Sequence, residues 1–162
     1  MGRLDGKTAL ITGGARGIGR AIALKYAADG CAVAVSDINL DGAEDTAGQI
    51  RAVGGRAWAT KSDVTNRDDV QSMIDGAIAN VGMPDILVNN AGIFFNAAFD
   101  QMTDDQWQRM ISTNLTSVFL VSQIMIRAWL AENRGGNIIS LASISGQIAF
   151  TNSAHYLSLI HI

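Results

Sequence analysis

The stretch "TGGARGIG", Thr12 to Gly19, decides the fold. It follows the apolar run "TALI", Thr8 to Ile11, and leads straight into a helical pattern. Glycines in such a turn let backbone come close to a pyrophosphate, and the helix start behind them offers free N–H groups and the positive end of a dipole. Strand, glycine turn and helix in that order open a dinucleotide-binding unit. A nucleoside-triphosphate P-loop is excluded, because no Gly-Lys-Ser/Thr follows.

Working outward, short β-rich runs alternate with longer amphipathic ones. The runs "TALITG", "AVAVSD", "RAWATKSD", "DILVNNAG" and "GNIISLAS" read as five strands ending at Gly13, Asp37, Asp63, Gly92 and Ser143. Between them, helices are expected over 17–29, 41–53, 67–81 and 104–132, each long enough to cross between parallel strands. Asp41 with Glu44, Thr65 with Asp68, and Thr103 with Gln106 read as capped helix starts. Nearly continuous apolar strands imply a parallel sheet covered on both faces. The fold class expected is α/β, a Rossmann-type doubly wound parallel sheet, with ligands beyond the carboxyl ends of the strands.

Composition narrows the function. The chain has 162 residues, 48% of them hydrophobic, and a net charge of -3, which suits one globular domain and gives no basic face for nucleic acid. The lone Cys31 sits among apolar neighbours and reads as an inert buried thiol, so the cytoplasm is the expected compartment. No apolar run of signal-peptide length precedes the first charges. The longest apolar stretch, Leu115 to Leu130, is broken by Ser122, Gln123 and Arg127 and reads as a core helix, too short and polar to span a bilayer. His155 and His161 lack a third ligand at metal spacing, so no metal site is expected. Trp58, Trp107 and Trp129 are scattered and read as packing residues.

Asp37 closes the second strand about twenty residues beyond the glycine turn, where a carboxylate can accept both ribose hydroxyls of an adenosine. That favours NAD. Arg16, inside the turn, could pair with a 2′-phosphate, so NADP stays open.

"TGGARGIG", then "NNAG" at Asn89 to Gly92, Asn114, "SLASISG" with Ser143, and Tyr156 resemble the short-chain dehydrogenase/reductase family, in its compact single-domain branch. The resemblance runs from about residue 4 to Tyr156, with motifs in order and at family spacing. It implies that Gly13, Gly17 and Gly19 line the pyrophosphate and that Ile18 helps seat it. Asp37 would hold the ribose, Asp63 and Val64 would meet the adenine, and Asn90, Ala91 and Gly92 would lie along the nicotinamide-side ribose. Tyr156 is implied as acid/base, Ser143 as a hydrogen-bond donor to the substrate oxygen, and Asn114 as holder of a relay water. A small alcohol or ketone substrate and a homotetrameric or homodimeric parent complete the implication, with no nucleic-acid or membrane partner.

Hydride transfer to or from an alcohol needs a proton acceptor or donor at the hydroxyl. A tyrosine, with an ordinary pKa of about 10, needs a nearby cation to act as base. The family supplies a lysine four residues on; here that residue is Ile160. Three readings are open: a non-catalytic nucleotide-binding relative serving as sensor or scaffold, a complete small enzyme, and an interrupted gene. The third is the expectation, because "LSLIHI", Leu157 to Ile162, translates CTGTCTCTTATACACATC, the mosaic end of transposase adapters. On this reading residues 1–156 are a partial nucleotide-binding domain of five strands, and 157–162 are an adapter-derived tail. The segments "GIFFNAAF" and "ISGQIAFTNSAH" should line the pocket mouth and fit sugars, polyols, hydroxysteroids or acyl ketones alike.

Overall fold

A computed structural model describes residues 2–161. Among them, five strands form one parallel sheet: β1 (Thr8–Thr12), β2 (Ala32–Asp37), β3 (Ala57–Lys61), β4 (Ile86–Asn89) and β5 (Asn137–Ser140). Their order is β3-β2-β1-β4-β5, so strand order reverses between β1 and β4. In such sheets the crevice at that reversal is where ligands bind.

Period-two alternation divides each strand between two cores. Ala9, Ile11, Val33, Val35 and Val88 pack with Ala23 of α1 (Gly17–Ala28) and Ala43, Ala47 and Ile50 of α2 (Leu40–Ala52). Leu10, Ala34 and Leu87 face the other way, onto Met73, Ile74 and Ala77 of α3 (Arg67–Val81) and Val121, Ile124 and Met125 of α5 (Ser117–Ala131). Two cores on opposite faces of one parallel sheet make the doubly wound α/β architecture that the alternation implies.

Strand ends differ from the sequence reading. β3 stops at Lys61, β4 at Asn89 and β5 at Ser140, short of Asp63, Gly92 and Ser143. One more sheet bond follows β3 and β5, from the Ser62 N–H to the Asp37 carbonyl and from the Leu141 N–H to the Asn89 carbonyl, before the chain leaves as loops at the carboxyl edge. Two helix caps also move. Asn39 caps α2, accepting from the Gly42 N–H, and Asn66 caps α3, accepting from the Asp68 and Asp69 N–H groups. Asp41 lies inside the first turn of α2, and the Thr65 hydroxyl donates to Asp63 Oδ1 instead of capping. Thr103 and Gln106 do form a reciprocal capping box on α4 (Asp104–Ile111).

A five-residue π-helical turn, Ser112–Thr116, joins α4 to α5. The continuous rod spans Asp104–Ala131, 28 residues whose most apolar 18-residue stretch has a mean hydropathy of 1.2, long and apolar enough by composition to cross a membrane. The core helix expected over Leu115 to Leu130 lies inside this longer rod. The rod's inner side is committed to protein: Leu120, Val121, Ile124, Met125 and Trp129 are buried, most of them in the sheet core.

Trp58 lies over Gly76 and Trp129 over Gly136, each ring filling the place of a missing Cβ. The Trp129 Nε1–H donates to the buried Pro84 carbonyl at 2.6 Å. Trp107 departs from the packing expectation, being 39% exposed on α4. β5 departs from the expectation of strands covered on both faces, since all four of its residues are exposed. After Ser140 the chain passes a 3-10 turn at Ile144–Gly146 and enters α6 (Ala154–His161), which carries Tyr156 and buries Leu159. Of the expected tail 157–162, residue Ile162 lies outside the described residues.

Candidate nucleotide cleft and reaction site

A cavity of about 580 Å³ opens at the carboxyl edge of the sheet, lined by the loops that follow β1 to β4. Gly13, Arg16, Gly17, Ile18, Asp37, Asp63, Val64, Asn90, Ala91 and Gly92 all contribute to its wall. Ten of the positions named from the sequence therefore meet in one place. Gly19 does not line it: it is buried in the first turn of α1, where any side chain would run into the Gly13 carbonyl, so its part is close packing.

The glycine turn is shaped for backbone approach. Gly13 has φ +66°, and a Cβ there would fall 2.8 Å from both Ala91 Cα and Asn90 Nδ2. Asn90 explains the closeness, because its Nδ2 donates to the carbonyls of Thr12 and Gly13, each at 2.9 Å. Thr12 completes the knot: its hydroxyl donates to the Val88 carbonyl and accepts from the Asn90 and Ala91 N–H groups. Thr12 and Asn90 thus weld the turn after β1 to the loop after β4. Helix α1 starts at Gly17 with no side-chain cap and no acid in its first turn, leaving its N-terminal N–H groups and positive dipole end at the cavity wall.

Asp37, at the end of β2, has both carboxylate oxygens anchored. Oδ2 accepts from the Ala15 N–H and Oδ1 from the Asn39 N–H, each at 3.0 Å. The side chain is held as a fixed anion at the cavity edge, beside Ile38. Asp63 Oδ1 accepts from both the N–H and the hydroxyl of Thr65, which shapes the loop after β3. Arg16 is exposed at the cavity wall.

Ser143 and Tyr156 meet in a second cavity of about 400 Å³, shared with Phe94, Asn96, Ile144, Ser145, Phe150 and Thr151. Ser143 Oγ accepts from the Ser145 N–H at 3.2 Å, a turn that fixes the hydroxyl at the mouth. Phe94 packs edge-on against the Tyr156 ring. His155 is wholly buried against Phe95; burial lowers its pKa, partly opposed by the Ser153 backbone.

Asn114 lines neither cavity. It sits in the π-helical turn, where its Oδ1 accepts from the Ile93 N–H and its Nδ2 donates to the Ile93 carbonyl, both at 2.8 Å, and also to Met110 Sδ at 2.9 Å. Its side chain therefore clamps the loop after β4. Ile160, where the family resemblance expects a cation, lies close to Gly146.

Several contributors carried no separate sequence signal. Thr12 could have been found as the polar residue ending β1 inside the glycine turn. Ile38, Ser62, Thr65 and Ile93 line the first cavity only because their loops converge.

A glycine turn welded to the β4 loop and a pinned carboxylate ending β2, at the carboxyl edge of a doubly wound parallel sheet, make up a Rossmann-type fold. The short chain dehydrogenase family model matches residues 7–158, and the chain belongs to that family. It is 43% identical over 145 residues to sorbitol dehydrogenase of Cereibacter sphaeroides, covering 90% of this chain and 56% of that protein. It is 38% identical over 154 residues to 3beta-hydroxysteroid dehydrogenase 2 of Eggerthella lenta, covering 94% and 59%. Among solved structures, 7 alpha-hydroxysteroid dehydrogenase complexed with NADH and 7-oxo glycochenodeoxycholic acid superposes with a TM-score of 0.92 at 38% identity, covering 98% of this chain and 62% of that one. The chain spans somewhat more than half the length of these relatives.

Proposed function

We propose that the chain forms the nucleotide-binding and proton-transfer part of a cytoplasmic oxidoreductase that interconverts an alcohol or polyol with a carbonyl, using NAD in preference to NADP. The observation that carries this reading is that one loop, Asn90 to Asn96, lines both cavities, the one that holds the pinned Asp37 and the one that holds Ser143 with Tyr156. The relatives' names, sorbitol and hydroxysteroid dehydrogenases, support an alcohol–carbonyl pair without choosing the carbon skeleton.

The residues present fit a dinucleotide. Gly17 lines the cavity with open space where a Cβ would stand, which leaves bare backbone for a pyrophosphate, and the uncapped start of α1 provides N–H groups for its oxygens. The fixed carboxylate of Asp37 suits a ribose diol and repels a 2′-phosphate, while Arg16, on the same cavity wall, would counter that repulsion. A bound nicotinamide supplies the hydride acceptor or donor. Tyr156 Oη then takes the hydroxyl proton or returns it to the carbonyl oxygen, and Ser143 Oγ hydrogen-bonds that oxygen to orient it. Asn90, Ala91 and Gly92 present the wall that seats the reacting end.

Because Ile160 brings no cation one turn beyond Tyr156, this chain is expected to bind nucleotide without alcohol-dependent turnover. Calorimetric titration with NADH and NADPH tests the reading. NADH should bind more tightly, and Asp37→Ala should erase that preference. Equal affinity for both in the unmodified chain, or a preference untouched by Asp37→Ala, would refute the assignment of Asp37.

A further inference from the structure

The loop leaving β4 reaches the glycine turn, Asn114 and the start of α6 within eight residues. Asn90 and Ala91 are tied to Thr12, and Ile93 to both ends of the Asn114 amide. The next residue, Phe94, meets Tyr156 at a ring-centroid distance of 5.1 Å and an interplanar angle of 77°. Phe95 meets His155 at 4.8 Å and 64°. The Ala97 N–H then donates to the Asn152 carbonyl at 2.9 Å, just before α6.

Consecutive loop residues thus grip consecutive helix residues, in opposite chain order. Edge-to-face pairs have a preferred angle as well as buried area, so each constrains ring orientation and not proximity alone. His155 is fully buried with neither ring nitrogen hydrogen-bonded, which is costly for an imidazole and leaves packing as its role beside Tyr156. Asn114 fixes the loop's backbone one residue before the grip begins.

We infer that Phe94 and Phe95 are positioning residues for Tyr156, and that the Asn114 side chain acts on the tyrosine through them. The inference rests on the reading of Tyr156 as the proton-transfer residue. Its test does not need turnover.

The chain has two tyrosines, so Tyr26→Phe leaves Tyr156 alone in the spectrum. Three-bond NMR couplings then report its χ1 population. The single-tyrosine chain should show one dominant rotamer. Phe94→Leu or Phe95→Leu should raise the minor rotamers about twofold to tenfold, the span expected for losing one edge-to-face pair, whereas Phe94→Trp, which keeps an aromatic ring, should not. Asn114→Ala should have the same effect, and none further in the Phe94→Leu/Phe95→Leu background. Should Asn114→Ala lose its folded amide spectrum, Asn114→Ser takes its place. A Tyr156 rotamer indifferent to both leucine variants, or an Asn114 effect undiminished in their background, would overturn the inference. NADH titration of the same samples reads the other question separately. The leucine variants should keep NADH affinity within about twofold, and a parent chain that fails to bind NADH refutes the nucleotide reading while the rotamers still decide this one.

Discussion

Replacing Gly13 and Gly17 by alanine, one at a time, separates two physical ingredients of the glycine turn. Both residues have positive φ, +66° and +55°, so either methyl group incurs the left-handed penalty of about 1–2 kcal/mol. At Gly17 a Cβ meets nothing within 4 Å, and the penalty ends there. At Gly13 it would fall 2.8 Å from Ala91 Cα and from Asn90 Nδ2. Neither neighbour can rotate away: one is backbone, and the other is held by two carbonyls. Relief requires the β4 loop to shift, at the cost of about 1–3 kcal/mol usual for overpacking. Urea unfolding should therefore show a loss of about 1–2 kcal/mol for Gly17→Ala and about 2–5 kcal/mol for Gly13→Ala. At this chain length each kcal/mol lowers the thermal midpoint by roughly 2–4 °C, so the two variants should differ visibly in a melt. Equal losses, or the larger loss at Gly17, would refute the claim that close approach and not conformation alone demands glycine at position 13.

Two further outcomes follow from buried groups and caps. Burial, with a smaller contribution from Asp85, pushes the Cys31 thiol from 9.0 up to about 11. The folded chain thus favours the neutral thiol more than the unfolded chain does; this stabilisation is complete below pH 9 and fades as pH rises toward 11. Unfolding free energies measured from pH 8 to 11 should show that decline in the parent and a shallower one in Cys31→Ala, and matching slopes would count against it. At the start of α3, Asn66→Ala should cost about 1 kcal/mol in urea unfolding, while Thr65→Ala costs less because its hydroxyl faces Asp63. A larger loss at Thr65 would return the cap to the residue favoured by sequence pattern.

Much of the fold was legible because its signals are local. Glycine spacing, apolar runs and an Asp at a strand end specify β1, α1 and β2 almost to the residue, and the Thr103–Gln106 box marks α4 correctly. The Asn66 cap was missed because an acid stands three residues on in both frames, Asp68 after Thr65 and Asp69 after Asn66, and the Asn39 cap because Gly42 stands where that pattern wants an acid. Backbone geometry chooses between those frames, and sequence spacing does not. The bareness of β5 could not be read from "NIIS", since an apolar strand looks the same whether or not neighbours cover it. Asn114 was flagged by family resemblance, but its pair of hydrogen bonds to Ile93 is made from a π-helical turn that has no sequence signature. The Phe94–Tyr156 and Phe95–His155 pairs join positions about sixty residues apart, beyond the reach of any periodicity.

The exposure of β5 sets an order among the parts of the site. Everything that shapes the first cavity's floor, from Thr12 through Asp37 to Gly92, is complete before the chain reaches β5. Ser143 and Tyr156 come after it, and reach their places only if this thinly protected strand is docked on β4. Strands with few buried contacts open at lower free energy than those in a core. Excursions of β5 would carry the serine and the tyrosine away together while the cradle stayed intact, so loss of reactivity and loss of nucleotide affinity need not share one melting temperature.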